Sequence, residues 1–547
     1  MINKILENIK NRVSEIIEDY HLGETVEIFF EIPKDTVFGD YSINVAMRLA
    51  KQLHKNPMLI AQEIVSKIDG RALHLTKVEV AGNGFINLFI DRRYLADVVF
   101  DVLNKKEHYG DLNLGTGENV NLEFVSANPT GYLHIGHGRG ASYGDSLARI
   151  MRKAGFSVST EHYVNDAGNQ INNLAASIYE RYKELFGLPC ELGEDSYHGK
   201  EIIEIAEQIK ALHGDVYLNQ PWQKEFRRFG VEFLLEGLKK DLNDFNVHFD
   251  TWFSETSLYE HNEVQKTLQS LMEGGHTYEK DGAIWLKTTE FGDEKDRVLV
   301  KSDKSFTYLL PDIAYHVNKL GRGFNHLIDV LGADHHGYMS RLRAGVAFMG
   351  GNPEKVDIEI LQMVRALQNG EEVKMSKRSG KAITLRDLID EVGSDALRFM
   401  YVSKALSTHM DLDLDLAVKN SNDNPVYYVQ YAYARICSLF RIAEEQHIDF
   451  HPVTEFKVLD GNKIFKMIFN LLQYPLVIEE AATKRLPHKL PQFLLALATS
   501  LHTYYNDERV ITENIQETME KLTVLKSVQI VLKDGLSLIG VGVKERM

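Results

Sequence analysis

The sequence has few cysteines and no long hydrophobic run. Its 547 residues include two cysteines, Cys190 and Cys437, which lie far apart, so we expect no disulfide framework and a reducing, cytoplasmic location. No uncharged apolar window of about 18 residues is present, which predicts no transmembrane helix and no membrane partner. Charged residues interrupt the apolar positions of the amino-terminal segment, unlike those of a secretory signal peptide.

Basic residues are also fewer than acidic residues. The chain has 62 Lys and Arg against 78 Asp and Glu, a net charge of −16, which by itself argues against a nucleic-acid partner. The deficit is uneven, because residues 421–547 hold 14 basic against 15 acidic side chains. A polyanion would meet the least repulsion there, although a chance fluctuation explains the difference equally well.

Three regions differ in their hydrophobic patterns. Residues 1–112 mix helical and β-rich runs, including a hairpin pattern in KVEVAGNGFINLFID, and predict a small α+β domain. Residues 113–420 alternate β-rich runs such as NLEFV and HLIDVLGAD with helical runs, which is typical of a Rossmann-like parallel sheet. A charged, mostly helical stretch at about 170–290 indicates an insertion into this α/β domain. Residues 421–547 predict an all-α helical bundle.

The segment SANPTGYLHIGHGRGA, residues 126–141, places His134 and His137 directly after the apolar run NLEFV. Further metal ligands at suitable spacing are lacking, so we expect no zinc. A strand that leads through a glycine-rich turn into a helix favours phosphate instead, because unsatisfied N–H groups and the helix dipole attract an anion. Gly131 and Gly136 would allow close backbone approach, and the imidazoles would donate hydrogen bonds. A tight packing corner is the alternative.

A second basic element, EEVKMSKRSGKAITLRDLI, follows far downstream. Lys374, Lys377, Arg378 and Lys381 cluster there among small residues. Alone, this run is typical of a solvated basic loop. Together with the His134 turn it predicts a mobile loop that closes on the leaving pyrophosphate of a nucleoside triphosphate.

HIGH followed by KMSK, on a chain that ends in a helical bundle, resembles the class I aminoacyl-tRNA synthetases. The narrower resemblance is to the bacterial type of the arginyl-tRNA synthetase family. It covers essentially the whole chain and rests on FVSANPTGYLHIGHGRGA, HYVNDAGNQINNLA, DVLGADHHGYMSRLRA and GSDALRFMYVSKA. The last passage contains the string Asp-Ala-Leu-Arg, residues 395–398, which is typical of that family's anticodon-binding region.

The resemblance implies an ATP-dependent ligase that activates L-arginine to arginyl-adenylate and transfers it to the terminal adenosine of tRNA(Arg). ATP with Mg²⁺ would be the substrate complex, no organic cofactor would be needed, and the chain would act as a monomer. Residues matched to the family's motifs imply four catalytic side chains: His134, His137, Lys374 and Lys377. They imply ATP contacts from Gly131, His134, Gly136, His137, Gly332, Asp334, His335, Met375, Ser376 and Lys377.

A guanidinium substrate calls for carboxylate partners. By resemblance, arginine would contact Glu123, Asn128, His134, Tyr308, Asp312 and His336. Glu123 lies in an apolar strand, where an unpaired carboxylate is costly. For Asp312, which follows Pro311, an ordinary helix start is the less favoured alternative. The expected tRNA contacts are Arg378, Lys381, Arg386, Tyr427, Tyr428 and Tyr431, and core packing is the alternative for the tyrosines.

Three rival functions remain open on the sequence alone. They are a synthetase for another amino acid, a nucleotidylyltransferase of similar fold, and a catalytically silent tRNA-binding homologue. The set Glu123, Tyr308 and Asp312 argues against the first, and the helical tail argues against the second. The intact His134, His137 and Lys377 argue against the third.

Overall fold

The computed structural model describes residues 2–22, 26–33, 36–333, 337–373 and 383–547. Its amino-terminal region contains α1 (Ile2–Glu18), β1 (Phe30–Glu31), β2 (Tyr41–Ile43), α2 (Val45–Leu53), α3 (Pro57–Ser66), β3 (Leu75–Ala81), β4 (Phe85–Ile90) and α4 (Arg92–Lys105). The four strands form one antiparallel sheet in the order β1-β2-β4-β3.

The predicted hairpin is β3 and β4, and its turn shows why glycine is needed there. Gly84 has a φ of +108°, and a Cβ atom at this position would lie 2.9 Å from the carbonyl carbon of Pro57. The turn therefore packs directly on the first residue of α3. At the start of that helix, the Asn56 side chain accepts a hydrogen bond from the backbone N–H of Met58, 2.9 Å away.

The central region is the longest. It contains β5 (Asn119–Glu123), α5 (Ile135–Lys153), β6 (Ser157–Val164), α6 (Asn169–Glu184), α7 (Lys200–His213), α8 (Gln223–Asp244), β7 (Thr251–Ser254), α9 (Glu255–Glu260), α10 (Glu263–Glu273), β8 (Thr277–Lys280), β9 (Ala283–Leu286), β10 (Arg297–Val300), α11 (Leu309–Gly321), β11 (His326–Gly332), α12 (Tyr338–Phe348), β12 (Val356–Leu361), β13 (Val364–Gln368), β14 (Glu371–Glu372), α13 (Leu385–Val392), α14 (Ser394–Val402), β15 (Met410–Asp413) and α15 (Leu414–Ala417).

A five-stranded sheet with the order β12-β11-β5-β6-β7 organises this region, and every pair in it is parallel. The Rossmann-like prediction is therefore confirmed. Because the strands are parallel, their carboxyl ends lie along one edge, where open α/β sheets bind ligands. The ends of β5, β6 and β11, at Glu123, Val164 and Gly332, lie at this edge.

The expected insertion is not helical throughout. Helices α6, α7 and α8 pack around their own aromatic core, but β7 returns to the central sheet and pairs with β6. Beyond it, β8, β9 and β10 form a separate antiparallel sheet over residues 277–300. Each of these four strands has four residues, too few for a strand periodicity to stand out from the charged helical text around it.

The carboxyl-terminal region is a helical bundle of α16 (Pro425–Glu445), α17 (Asn462–Thr483), α18 (Lys489–Asp507) and α19 (Ile515–Leu538), as predicted. The amino-terminal region packs on it: the Tyr109 hydroxyl donates to the Leu471 carbonyl, 2.9 Å away. Gln473 likewise donates to the Tyr41 hydroxyl at 2.6 Å. These two hydrogen bonds hold the amino-terminal region against the bundle.

Candidate active site

The turn between β5 and α5 is built around the two predicted histidines. His134 is the N-cap residue of α5, and its Nδ1 accepts a hydrogen bond from the Gly136 N–H at 3.1 Å. The Nδ1 of His137 accepts from the backbone N–H of His134, also at 3.1 Å. The two rings stack with their centroids 3.6 Å apart. The spacing of three residues thus forms a reciprocal capping box.

This capping fixes the proton on each ring. Since both Nδ1 atoms accept hydrogen bonds from the backbone, both rings carry their proton on Nε2. Burial lowers the pKa of His137 to about 3 and shifts the pKa of His134 in the same direction. Both side chains are therefore neutral at physiological pH, with one N–H each to offer a phosphate oxygen.

The chain that enters this turn is strained. Val125 and Ser126 have φ angles of +69° and +39°, in the left-handed region that non-glycine residues avoid. The conformation lets the Ser126 hydroxyl donate to Glu123 Oε1 at 2.8 Å and accept from the Tyr163 N–H at 3.1 Å.

The glycines of the His134 turn have different surroundings. A Cβ atom at Gly138 would lie 2.9 Å from Leu385, whereas one at Gly131 would stand in open space.

The residues that follow the downstream basic segment contact the same turn. Residues 374–382, with the expected Lys374, Met375, Ser376, Lys377, Arg378 and Lys381, lie outside the described residues, as do Asp334, His335 and His336. The chain that follows that segment is described: Thr384 forms an antiparallel bridge with His134. The Leu385 N–H donates to the Leu133 carbonyl at 2.6 Å. Thr384 and Leu385 are thus anchored on the His134 turn.

Glu123 has a partner inside the protein, which the sequence did not reveal. The buried ammonium of Lys319 lies 2.7 Å from Glu123 and 2.9 Å from Asp329. Glu123 is therefore not an unpaired buried carboxylate, and its burial alone does not indicate a substrate cation. The residue still lies at the carboxyl end of β5, beside the His134 turn.

Asp312 and Glu255 are two carboxylates whose pKa values are both raised. Burial and the negative charges of Glu123 and Asp329 raise the pKa of Asp312 to about 6, against the effect of a hydrogen bond from Tyr338. Burial and the charges of Asp312 and Asp166 raise the pKa of Glu255 to about 7. No basic side chain in the described part of the chain forms an ion pair with either carboxylate. Such a pair suits a bound cation.

Glu255 was missed by the sequence reasoning. It begins α9, directly after the short edge strand β7, and its side chain is buried. The Tyr163 and Tyr259 hydroxyls act on its carboxylate and oppose the rise in its pKa. The only sequence signal was a Ser-Glu pair at a helix start, which is also an ordinary capping pattern.

Two other predicted arginine contacts take different positions. The Asn128 side chain accepts a hydrogen bond from Asn165 at 2.8 Å and donates one to Gln170 at 2.7 Å, so α6 and the end of β6 hold it. Tyr308 precedes α11, and its side chain is 87 % exposed. The hydroxyl that reaches the Asp312 carboxylate is that of Tyr338, not that of Tyr308.

Of the predicted tRNA contacts, Arg386 is engaged within the protein. Its guanidinium lies 2.9 Å from Asp241 and 2.6 Å from Asp244, at the end of α8. These ion pairs compensate its charge, so it does not offer the free cation that we expected.

The predicted tyrosines lie along α16. Tyr427 and Tyr431 stack with centroids 5.8 Å apart, and the guanidinium of Arg435 lies 4.9 Å over the Tyr431 ring. All three tyrosines are half-buried, and Tyr428 packs on His502. Their positions fit both core packing and an accessible aromatic surface.

Family models match three consecutive parts of the chain. Residues 3–90 match the arginyl tRNA synthetase N terminal domain, residues 98–413 match the tRNA synthetases class I (R) catalytic domain, and residues 429–547 match the DALR anticodon binding domain. The chain belongs to the arginyl-tRNA synthetase family. It is thus a class I aminoacyl-tRNA ligase of the arginine type.

Relatives of this family align over nearly the full length. The arginine–tRNA ligase of Anoxybacillus flavithermus is 47 % identical over 554 residues, which covers 99 % of this chain and all of that one. The ligase of Bacillus subtilis is 48 % identical, covering 95 % of this chain and 94 % of its own. The Thermus thermophilus arginyl-tRNA synthetase structure, 22 % identical, has the same fold with a TM-score of 0.76, covering 99 % of this chain and 100 % of that one.

The Asp-Ala-Leu-Arg string that marks arginyl-tRNA synthetases lies in α14, outside the matched anticodon-binding range. Arg398 of the string is fully buried. Its guanidinium binds Asp145 of α5 and donates to the carbonyls of Phe245 and Ile539. Arg398 therefore joins the catalytic region to the bundle.

No group of three or more His, Cys, Asp or Glu side chains is arranged to hold a metal ion within the described ranges. Among the same residues, no helix is long and apolar enough to cross a membrane.

Proposed function

We propose that this arginyl-tRNA synthetase family member binds the guanidinium of L-arginine between Asp312 and Glu255. The observation that carries the proposal is that two carboxylates, the half-buried Asp312 and the buried Glu255, have no basic ion-pair partner within the described residues. The raised pKa of each agrees with this arrangement. A planar guanidinium supplies up to five N–H donors for carboxylate oxygens. Glu123, fixed by Lys319 and Ser126, forms the nearby wall.

The α-amino end of arginine then lies toward Asn128 and the His134 turn. Asn128 is already fixed by Asn165, and its Oδ1 has a second lone pair that can accept from an ammonium. His336 completes this assignment as the sequence predicts, and Tyr308 acts at the mouth of the pocket, where its ring is exposed.

ATP, accompanied by Mg²⁺ as the substrate complex, takes the position over the first turn of α5. The two Nε2 protons of the His134 turn meet the phosphates, and Gly131, Gly136, Gly332, Asp334 and His335 complete the nucleotide site. Lys374, Met375, Ser376 and Lys377 would approach from the anchored side at Thr384. Positive charge then arrives where the leaving pyrophosphate develops negative charge. Zinc and organic cofactors have no role in this scheme.

The remaining assignments follow from the domain order. Residues 1–112 and 421–547 contact tRNA(Arg), and residues 113–420 perform the chemistry in a cytoplasmic monomer. Arg378, Lys381 and the α16 tyrosines are the proposed tRNA contacts, and Arg386 serves to fix α13 on α8. The chain as a whole has a net charge of −16, so the RNA contacts rest on local groups of basic residues rather than on the overall charge.

Calorimetric titration of the protein with L-arginine tests the proposed pocket. Binding that is lost for citrulline, in which a neutral urea replaces the guanidinium, supports recognition by two carboxylates. Equal binding of citrulline and arginine would contradict it.

A further inference from the structure

Asp166 holds both of the residues that flank Glu255. It lies just beyond the end of β6, and Glu255 is the first residue of α9, directly after β7. The Oδ2 atom of Asp166 accepts a hydrogen bond from the Ser254 hydroxyl at 2.5 Å, and its Oδ1 atom accepts one from the Thr256 N–H at 2.9 Å. The Thr256 hydroxyl also donates to the backbone carbonyl of Asp166 at 3.2 Å. The backbone on each side of Glu255 is therefore fixed to the loop after β6.

These hydrogen bonds extend the pairing of the two strands. β6 and β7 are parallel, and their register ends with Val164 opposite Ser254. The Asp166 carboxylate continues the attachment past that point, to the first turn of α9. Because α9 has only six residues, it has little stability of its own. The contacts of Asp166 thus fix the place of Glu255 more firmly than the short helix does.

Asn165, the residue before Asp166, holds the opposite end of the proposed pocket. Its side-chain amide donates to Asn128 Oδ1 at 2.8 Å, and the Asn128 amide donates to Gln170 at 2.7 Å. Asn128 is the proposed contact of the α-amino group, whereas Glu255 is a proposed contact of the guanidinium. Consecutive Cα atoms are about 3.8 Å apart across a trans peptide bond, so the two anchoring residues keep a constant separation.

We propose that Asn165 and Asp166 are positioning residues that set the distance between the two ends of the arginine pocket, and thereby its selectivity for the length of the substrate side chain. This inference rests on the proposed arginine site. Neither residue touches the substrate, because Asn165 acts through Asn128 and Asp166 acts through Glu255. A longer guanidino amino acid needs these two contacts to lie further apart, which the adjacent anchors prevent.

The experiment is steady-state aminoacylation by the full-length protein with arginine and with homoarginine, whose side chain is one methylene longer. In Asp166→Ala the start of α9 is released, so the KM for arginine should rise about tenfold while the KM for ATP stays unchanged. The ratio of kcat/KM for arginine to that for homoarginine should fall about tenfold with it. Asn165→Ala, which releases Asn128 instead, should lower the same ratio.

Two further variants separate this role from a general effect on folding. In Asp166→Asn the amide oxygen can accept from the Thr256 N–H, and the amide nitrogen can donate to the Ser254 hydroxyl, so the wild-type ratio should be retained. In a Glu255→Gln background, Asp166→Ala should lower the ratio no further, because two residues that act through one contact are not additive.

Asp250→Ala is the matched control. Asp250 Oδ2 accepts from the Thr160 N–H at 2.8 Å and from the Thr160 hydroxyl at 3.0 Å, at the other end of β7. Its loss should lower the melting temperature without changing the ratio. An unchanged ratio in either Asp166→Ala or Asn165→Ala overturns the inference, and so does an equal further fall in the Glu255→Gln background. An unchanged KM for arginine in Glu255→Gln alone would instead overturn the proposed arginine site.

Discussion

His134 and Thr384 form an antiparallel backbone bridge, although they come from opposite ends of the catalytic region. His134 caps α5, and Thr384 caps α13 by accepting a hydrogen bond from the Asp387 N–H at 3.0 Å. Two helix starts are thus held side by side. The described chain that follows residues 374–382 is thereby held beside the His134 turn.

His137→Ala and Lys377→Ala should each slow adenylate formation by about 10²- to 10³-fold, because each removes a donor aimed at developing negative charge. Loss of the His137 cap should cost only about 1 kcal/mol of stability. Single-turnover formation of arginyl-adenylate, measured with tRNA present, gives the rate. His137→Asn keeps a hydrogen-bond acceptor for the cap and serves as the matched variant. Wild-type rates in both alanine variants would contradict the assignment of this turn.

Asp312→Asn and Glu255→Gln should each raise the KM for arginine about 100-fold, because removing one partner of a buried charge pair costs roughly 2–5 kcal/mol. The KM for ATP should change little. Asp303→Asn, on the exposed turn before α11, is the control. A KM that responds to Asp312→Asn but not to Glu255→Gln would remove Glu255 from the pocket.

The affinity for arginine should increase as the pH rises from about 5.5 to 8. The pKa values of Asp312 and Glu255 are raised to about 6 and about 7, and a guanidinium favours the ionised carboxylates, so binding releases protons. Calorimetry in buffers of different ionisation enthalpy measures that release. Proton uptake on binding would contradict the charge assignment.

The same two groups affect stability with the opposite sign. Because their folded-state pKa values lie above their unfolded values, the folded protein binds more protons than the unfolded chain between about pH 4 and pH 7. Their contribution to stability is therefore lost as the pH rises through this window. Arginine should raise the melting temperature more at pH 8 than at pH 5.5. An equal rise at both pH values would contradict binding to Asp312 and Glu255.

Tyr431→Ala should weaken tRNA binding by about 1–3 kcal/mol, the range for loss of one base–aromatic stack. Tyr431→Phe keeps the ring and should bind tRNA as the wild type does. Filter binding at two salt concentrations separates stacking from charge. If Tyr431→Ala lowers the melting temperature but leaves tRNA affinity intact, the α16 tyrosines are core residues.

Much of the fold was readable from the sequence, because the parallel strands and the bundle helices carry clear periodicities. The His134 turn was also predictable, because glycines between a strand and a helix are typical of an anion-binding turn. Strand β7 was not, because four residues, TWFS, give no period. Glu255 directly follows β7, and it was not predicted as a site residue either.

The electrostatics of the site could not be read in this way. Lys319 lies 196 residues from Glu123 in sequence, and only the packing of α11 against β5 and β11 brings the ammonium to the two carboxylates. Arg386 shows the reverse case: a basic residue in a basic stretch, whose charge is compensated by Asp241 and Asp244 from α8. Charge in a sequence shows which groups exist, but not which of them are already paired.

ATP–pyrophosphate exchange with each of the twenty amino acids, run with and without total tRNA, tests the central claim most directly. Exchange with arginine alone is the predicted result, and it should be lost in Asp312→Asn and His137→Ala. Exchange with a different amino acid would overturn the pocket, and no exchange with any amino acid in the presence of tRNA would contradict the catalytic role of this site.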